Sequence, residues 1–369
     1  MDERVLCERL ITYDTSSVDG IKSAAGFVKG WLEARDIVVD TAMNNGLPVL
    51  AATVGAEKGP TVVLHGHLDV VPAEPEQFEP RLDGDRLYGR GAYDMKGGLA
   101  SMMCATRDLA AQGKVKVHFV MCCDEESEED QNRGSDYIAK EMGYLGDFAI
   151  TGEPTDMLIG VQAKGVLLLR LDVRGRAAHG STPWLGDNAV LKAMDVFRAI
   201  QSLPFARESS EMFDRPSINL GRVYGGDVPN KVPDHCVIDV DIRFLPGQEA
   251  NAILDEVKAI PDTKVDIIFH RDPVVVSRTN PYVVLLAEAA SGGSPAERIS
   301  VGRDGASDIT AWLDSGVPGV EFGPVGEGHH GPEEWVSVDS LVRYRQALVD
   351  FVNLVGERRA SDAPQLRVA

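Results

Sequence analysis

Short apolar runs in the first third of the chain predict buried strands, and helical patterns separate them. The run at 61–64 leads into His65, and residues 114–123 alternate at first and then become continuously apolar. That change is typical of a strand that enters a buried sheet. Between these runs, apolar side chains recur at helical spacing over 95–111, and another strand ends at 149–151. The alternation predicts an α/β unit with a mostly parallel sheet and helices on both faces.

The pattern changes after Lys164. The strands predicted there are 166–173, 217–223, 237–244 and 264–270, and the helices are 188–200 and 250–260. Their β-α-β-β-α-β order is typical of a ferredoxin-like α+β domain. The α/β pattern resumes at Asn280, with helices over 280–290 and 338–358 and a disordered tail after Ala360.

These patterns predict two domains. A discontinuous catalytic domain would comprise residues 1–163 and 274–369, and a ferredoxin-like domain of residues 164–273 would be inserted into it. The length agrees, because 369 residues are too many for one ordinary core.

Composition narrows the classes of partner. The formal net charge of −20 disfavours nucleic acid and anionic membranes, although a local cationic pocket can still bind a small anionic substrate. No apolar run approaches the roughly 18 residues that span a bilayer. The N-terminus lacks the features of a signal peptide, so we expect a cytoplasmic protein. The five cysteines include no CxxC pair and are expected to be buried free thiols.

Carboxylates and histidines follow several of the predicted strands. They fall in five runs, at 65–69, 93–96, 124–127, 152–154 and 329–333. Ligands of open α/β sheets bind beyond the carboxyl ends of the strands, so these side chains can converge. Two histidines, three acidic ligands and a spare carboxylate fit a two-metal hydrolase. Such donors suit Zn²⁺, with Mn²⁺ and Co²⁺ as alternatives, and Asp94 is the natural shared ligand.

The same runs resemble the motifs of a family of zinc metallopeptidases and aminoacylases. That family includes carboxypeptidase G, acetylornithine deacetylase and succinyl-diaminopimelate desuccinylase. The motifs are HGHLDVVP at 65–72, GRGAYDMKGG at 89–98, DEESEE at 124–129, TGEPT at 151–155 and HHGPEEWV at 329–336. The resemblance covers about residues 1–356 and implies two Zn²⁺ ions per chain.

The resemblance also assigns the metal ligands. It implies that Asp94 bridges the two ions and is followed by a cis peptide bond. His67 and Glu153 would complete one metal site, and Glu126 and His330 would complete the other.

Two further residues receive roles beside the metals. The resemblance implies that Glu125 is the general base, which takes a proton from water and delivers it to the leaving amine. Asp69 lies two residues after His67 and is expected to hydrogen-bond its second ring nitrogen, which would fix the tautomer. His65 and His329 are expected to lie outside the metal set.

The inserted domain resembles the dimerisation (lid) domain of the family. The motif GRAAHGSTP at 175–183 implies that His179 reaches the active site of a partner subunit and stabilises the oxyanion. The chain would then be a homodimer, joined through this domain.

Four residues are candidates for substrate binding. GGDVPNKVP at 225–233 and DVDIR at 239–243 match the family and imply that Asn230 and Arg243 bind a substrate carboxylate. Arg243 would do so with its bidentate fork. The loop that contains Ser307 resembles a substrate-contacting loop, and nearby Arg303 is a candidate to recognise an acidic group.

The predicted function is hydrolysis of an amide bond next to a free carboxylate, in N-acetyl or N-succinyl amino acids or small peptides. A dipeptidase, an aminopeptidase or a carbamoyl-amide hydrolase are alternatives within the class. HGPEEW around His330 favours a carboxypeptidase or broad aminoacylase over a strict desuccinylase. A noncatalytic binding protein on this fold would be expected to carry degenerate ligands, and here every ligand position is filled.

Overall fold

The structure is a computed structural model that describes residues 3–126, 133–291 and 301–361, with side chains as far as Arg358. The helices are α1 (Glu3–Ile11), α2 (Val18–Glu33), α3 (Gly97–Leu109), α4 (Gly134–Asp136), α5 (Ala189–Ile200), α6 (Ala250–Lys258), α7 (Pro281–Ala290), α8 (Thr310–Leu313) and α9 (Val338–Ser361). The predicted tail after Ala360 falls, except for Ser361, outside the described residues.

The strands divide among three sheets. They are β1 (Val39–Asn44), β2 (Leu47–Gly55), β3 (Thr61–His67), β4 (Arg81–Asp83), β5 (Arg86–Tyr88), β6 (Lys116–Cys122), β7 (Phe148–Thr151), β8 (Gly160–Ala163), β9 (Gly165–Arg174), β10 (Ser217–Gly225), β11 (His235–Phe244), β12 (Thr263–Arg271), β13 (Val274–Val275), β14 (Val301–Arg303), β15 (Gly319–Glu321), β16 (Gly326–Glu327) and β17 (Trp335–Ser337). The predicted helices and strands are all present, with ends shifted by a few residues.

The chain forms two compact units. The first comprises residues 1–161, 276–301 and 308–369, and the second comprises residues 162–275 and 302–307. The segment at 302–307 packs with the second unit, whereas the sequence-based division had put it in the first. The cause lies in its contacts, since the carbonyl of Arg303 accepts a hydrogen bond from Lys164 and Asp304 pairs with the Lys164 ammonium.

The first unit is built on a sheet of order β1-β2-β6-β3-β7-β15-β8. Strands β6, β3, β7 and β15 run parallel, which confirms the mostly parallel α/β sheet. The β1–β2 hairpin extends this sheet on the antiparallel side of β6 and was not predicted. The parallel strands are buried on both faces. Because they all run in the same direction, their carboxyl ends open onto one edge, where polar side chains can gather.

Helix α3 packs against the carboxyl ends of these strands. Its first ten residues are buried, and a Cβ atom at Gly98 would lie 2.4 Å from the carbonyl oxygen of Gly152. Only glycine allows so close an approach. The contact therefore brings the turn before α3, which carries Asp94, next to the strand end that carries Glu153.

The second unit has a four-stranded antiparallel sheet of order β10-β11-β9-β12. Helices α5 and α6 pack on it, around an apolar core that includes Leu169, Val196 and Val240. The strand order confirms the predicted ferredoxin-like α+β arrangement. Strand β10 lies at the edge of this sheet, and most of its residues are exposed.

Two predictions from composition can also be compared with the structure. All five cysteines are buried and free, as expected. Among the helices of the described residues, none combines the length and the apolar character that crossing a membrane requires.

Candidate metal centre

His67 is the last residue of β3 and is fully buried. Its Nδ1 lies 3.0 Å from the main-chain oxygen of Asp69, and because a carbonyl only accepts, Nδ1 must carry the proton. The lone pair of Nε2 is then free. Nε2 lies 3.1 Å from Oδ1 of Asp94 and 3.7 Å from Oε1 of Glu153. This is the tautomer that a metal-binding histidine requires.

Asp94 lies in an irregular turn, Ala92–Lys96, directly before α3. Its backbone leaves the helical region (φ −117°, ψ 97°), and the bond to Met95 is a cis peptide, as the resemblance implied. The two carboxylate oxygens face different histidines. Oδ1 faces His67, and Oδ2 lies 3.5 Å from Nε2 of His330.

Glu126 and His330 meet although 204 residues separate them in the chain. Nε2 of His330 lies 2.9 Å from Oε1 of Glu126. The carboxylates of Asp94 and Glu126 raise the pKa of His330 to about 10. His330, whose side chain is 48% exposed, is the accessible member of this group.

The donors form two groups that fit two divalent cations. One contains His67, Asp94 and Glu153, the other contains Asp94, Glu126 and His330, and within each group the donor atoms lie within 4.8 Å of one another. Bond lengths of about 2.0–2.2 Å to Zn²⁺ suit donor atoms that lie this close together. Burial also raises the pKa of Glu153 well above its usual range, so a carboxylate there needs a cation nearby.

Asp69 supports this centre in a different way from the one predicted. Its main-chain oxygen, rather than its carboxylate, accepts from His67, and Oδ1 is 3.6 Å from the ring nitrogen. Oδ2 instead accepts a 2.8 Å hydrogen bond from the backbone N–H of Glu126. Asp69 therefore connects one residue from each of the two donor groups.

Glu125 points away from Glu126. Its Oε1 lies 3.3 Å from Nη1 of Arg133, and the same guanidinium nitrogen lies 3.8 Å from Asp308. Burial raises the pKa of Glu125 to about 8. A carboxylate with a pKa near neutrality suits general acid–base work. No sequence pattern indicated a role for Arg133, which follows an acidic segment whose residues 127–132 lie outside the described part of the chain.

His65 belongs to a separate buried group. Its Nδ1 lies 3.0 Å from the Thr151 hydroxyl, and Nε2 lies 3.4 Å from Sγ of Cys122 and 3.6 Å from Oδ2 of Asp308. His65, Cys122 and Asp308 also lie close enough together to hold an ion. Burial lowers the pKa of His65 to about 4 and raises that of Cys122, so the imidazole and the thiol are both stable in their neutral forms.

His179 and Asn230 lie side by side in the second unit. The backbones of His179 and Lys231 form an isolated antiparallel β-bridge. The carbonyl of Asn230 accepts a 2.7 Å hydrogen bond from the backbone N–H of Gly180. His179 is exposed, and its Nδ1 accepts the backbone N–H of Ser181 at 3.1 Å. A neutral His179 therefore carries its proton on Nε2, where it can be donated outward.

The remaining predicted binding residues also lie in the second unit. Both Nε and Nη2 of Arg243 bond to Asp241, at 2.8 and 2.9 Å, so the fork predicted for a substrate already holds a carboxylate. Ser307 is buried and Arg303 is half-buried at the end of β14. A substrate carboxylate at Arg243 would compete with Asp241.

Two curated proteins are similar to most of this chain. A putative LysW-lysine/LysW-ornithine hydrolase of Pyrobaculum aerophilum is 30% identical over 258 residues, which is 69% of this chain and 68% of that protein. A putative succinyl-diaminopimelate desuccinylase of Mycobacterium tuberculosis is 30% identical over 292 residues, 76% of this chain and 78% of its own.

A solved structure shows the same fold. The M20 family metallo-carboxypeptidase of Sulfolobus solfataricus superposes with a TM-score of 0.80 at 19% identity, covering 97% of this chain and 100% of that one. The sequence profile of Peptidase family M20/M25/M40 matches residues 63–354. The chain is therefore a hydrolase of the deacylase and peptidase type, and it belongs to Peptidase family M20/M25/M40.

Proposed function

We propose that the chain is a two-zinc hydrolase that cleaves an amide bond next to a free carboxylate, in N-acyl-amino acids or small peptides. The observation that carries the proposal is the position of Asp94, whose two oxygens face His67 and His330. A carboxylate shared in this way is the bridging ligand of a two-metal site. The similarity to a desuccinylase over three quarters of the chain supports an N-acyl-amino acid as substrate.

The chain's own residues supply the proton transfers in this proposal. The two donor groups would hold the zinc ions, which would supply Lewis acidity to the scissile carbonyl and to a water molecule. Glu125 takes a proton from that water, and the water oxygen adds to the carbonyl carbon. Glu125 then delivers the proton to the amide nitrogen as the C–N bond breaks. The products are a carboxylic acid and a free amine, and Glu125 is a carboxylate again once it has delivered its proton to the amine.

The proposal includes a homodimer in which His179 of the partner subunit stabilises the oxyanion. Nδ1 of His179 accepts a hydrogen bond from its own loop, so a neutral ring carries its proton on Nε2. That N–H is on the opposite side of the ring from the loop contact, which supports this role. The edge strand β10 supports the dimer, since Val223 and Tyr224 are 43% and 57% exposed there. Leu191 of α5, a helix that contacts β10, is also 63% exposed.

The substrate class can be tested with matched pairs of compounds. Purified protein with added Zn²⁺ or Co²⁺ is assayed for released amine on N-acetyl and N-succinyl amino acids and on dipeptides, each with a free or an amidated carboxyl group. We expect turnover only when the carboxylate is free. Equal turnover of the amidated compounds would contradict the proposal.

The same panel separates the alternatives. An aminopeptidase or dipeptidase requires a free amino group, so it would hydrolyse the dipeptides but not the N-acetyl or N-succinyl amino acids. A noncatalytic binding protein would hydrolyse none of the compounds. Two zinc ions per chain, measured by elemental analysis, would support the enzyme in either case.

A further inference from the structure

Glu334 is a buried carboxylate that lies beside the metal ligands but outside the predicted set. It directly precedes β17, four residues after His330, and is only 1% exposed. A buried carboxylate is unfavourable unless hydrogen bonds and positive charge surround it. Its partners therefore indicate what it does.

Glu334 accepts four hydrogen bonds from one short segment. Oε1 accepts the backbone N–H groups of Tyr93 and Asp94, each at 3.0 Å. Oε2 accepts the N–H of Gly91 at 3.0 Å and Nη1 of Arg90 at 2.7 Å. A single carboxylate thus holds the main chain of Asp94 and of the residues directly before it.

The turn needs these acceptors because it is not helical. Gly91 has a left-handed backbone (φ +77°), and Asp94 and Met95 also lie outside the helical region. Backbone N–H groups in such a turn lack the regular partner four residues earlier, and buried ones must be satisfied in another way. Glu334 satisfies them with a charge that an amide side chain cannot supply.

Arg90 extends the contact to the other metal-ligand loop. It is 3% exposed, and its Nη2 donates to the main-chain oxygen of His330 at 3.2 Å. Glu334 and Arg90 together, here called the Glu334–Arg90 pair, connect the backbones of Asp94 and His330. These two ligands belong to the same donor group.

We infer that the Glu334–Arg90 pair positions the carboxylate of Asp94 against His330 and so sets the metal affinity of the group Asp94, Glu126 and His330. The inference rests on the proposed metal binding but not on the proposed substrate. Glu334 is a positioning residue, because it contacts the ligand backbones and no donor atom of the group.

The test compares Glu334→Gln with Glu333→Gln. Glu333 is the adjacent residue, but its side chain is 77% exposed and pairs only at the surface with Arg81. Metal-free proteins are titrated with Zn²⁺ against a competing chelator, and amide hydrogen exchange of Gly91, Tyr93 and Asp94 is measured without metal. Circular dichroism melting shows whether each variant is folded.

In Glu334→Gln we expect one of the two zinc ions to bind about 10- to 100-fold more weakly, as found when partners of metal ligands are replaced. The three amides should exchange faster, and activity should recover as Zn²⁺ is raised. Glu333→Gln should match the parent protein in all three measurements. A folded Glu334→Gln protein with unchanged zinc affinity would overturn the inference, whatever its activity.

Arg90→Lys provides a second variant if Glu334→Gln does not fold. Lysine keeps the charge beside Glu334 but lacks the planar fork whose two nitrogens bond separately to Glu334 and to the His330 carbonyl. We expect weaker binding of the same single ion, and unchanged affinity in this folded variant would equally contradict the inference. Neither result depends on which substrate the enzyme uses, so a failed substrate panel leaves this test intact.

Discussion

Nη1 of Arg133 lies 3.3 Å from Oε1 of Glu125. The two adjacent carboxylates therefore have different partners, since Glu125 contacts Arg133 and Glu126 contacts His330. Glu126 joins the metal donors, while Glu125 is held beside them by a cation.

Glu125→Gln should abolish turnover while leaving two zinc ions bound. Glutamine keeps the shape but cannot carry a proton from water to the amine, so we expect kcat to fall about 10²- to 10⁴-fold. Amine release and zinc content are measured on the same preparation. Glu126→Gln is the matched comparison, in which lost activity should accompany lost metal. Substantial activity in Glu125→Gln would refute the assignment of the base.

Single replacements in the two donor groups should remove different ions. Glu153→Ala and His330→Ala should each leave about one zinc ion per chain, because each residue belongs to only one group. Asp94→Asn should lower both affinities, since Asp94 is common to the two groups. Zinc content after dialysis against a weak chelator checks this order. A loss from Asp94→Asn no larger than the loss from either single-group variant would argue against a bridging role.

The action of His179 across the dimer can be tested by mixing inactive proteins. Glu125→Gln supplies an intact His179, and His179→Ala supplies an intact base. Each mixed dimer should regain about half of the activity of a parent dimer, because one of its two active sites is complete. Native mass spectrometry confirms subunit exchange. No recovery after exchange would mean that His179 acts within its own chain or not at all.

His118 predicts a pH dependence of stability. Burial, with a smaller effect of Lys116, lowers its pKa from 6.5 to about 4. Between about pH 6.5 and pH 4, the unfolded chain therefore binds a proton at His118 that the folded chain does not bind. The free energy of unfolding decreases as the pH falls through this range. Allowing for its partial exposure, this amounts to about 1–2 kcal/mol.

His118→Gln should remove this component, because glutamine does not titrate and can still reach Thr53, whose hydroxyl lies 2.8 Å from Nδ1. Denaturant unfolding of metal-free protein at pH 7 and pH 5 measures the effect. The parent protein should lose more free energy of unfolding between these values than the variant. Equal losses in the two proteins would contradict the pKa shift.

The fold was accessible from the sequence because it depends on local pattern and on one rule of topology, whereas the predicted ligand set was implied by the family resemblance. Apolar runs located β3, β6 and β7, and parallel strands place their carboxyl ends at one edge. The contacts that support the site were not accessible in the same way. Arg133 follows a polar acidic segment, and Arg90 meets Glu334 across 244 residues, so no local pattern joins them.

Two other differences have separate physical causes. Asp69 acts on His67 through a main-chain oxygen, and every residue has one, so side-chain type carries no signal. The pairing of Arg243 with Asp241 could have been predicted, since residues two apart on a strand share a face. The family resemblance implied a substrate carboxylate as the partner of Arg243, whereas the carboxylate that Arg243 contacts is that of Asp241.

The donor group that contains Glu126 and His330 can be completed only late in protein synthesis. Chains emerge from the ribosome N-terminus first, and domains generally fold as units in that order. His67, Asp94 and Glu153 have all been made before translation reaches the second unit, whereas His330 follows it. The growing protein thus contains all three donors of the first group early. The second group is completed only when translation reaches His330.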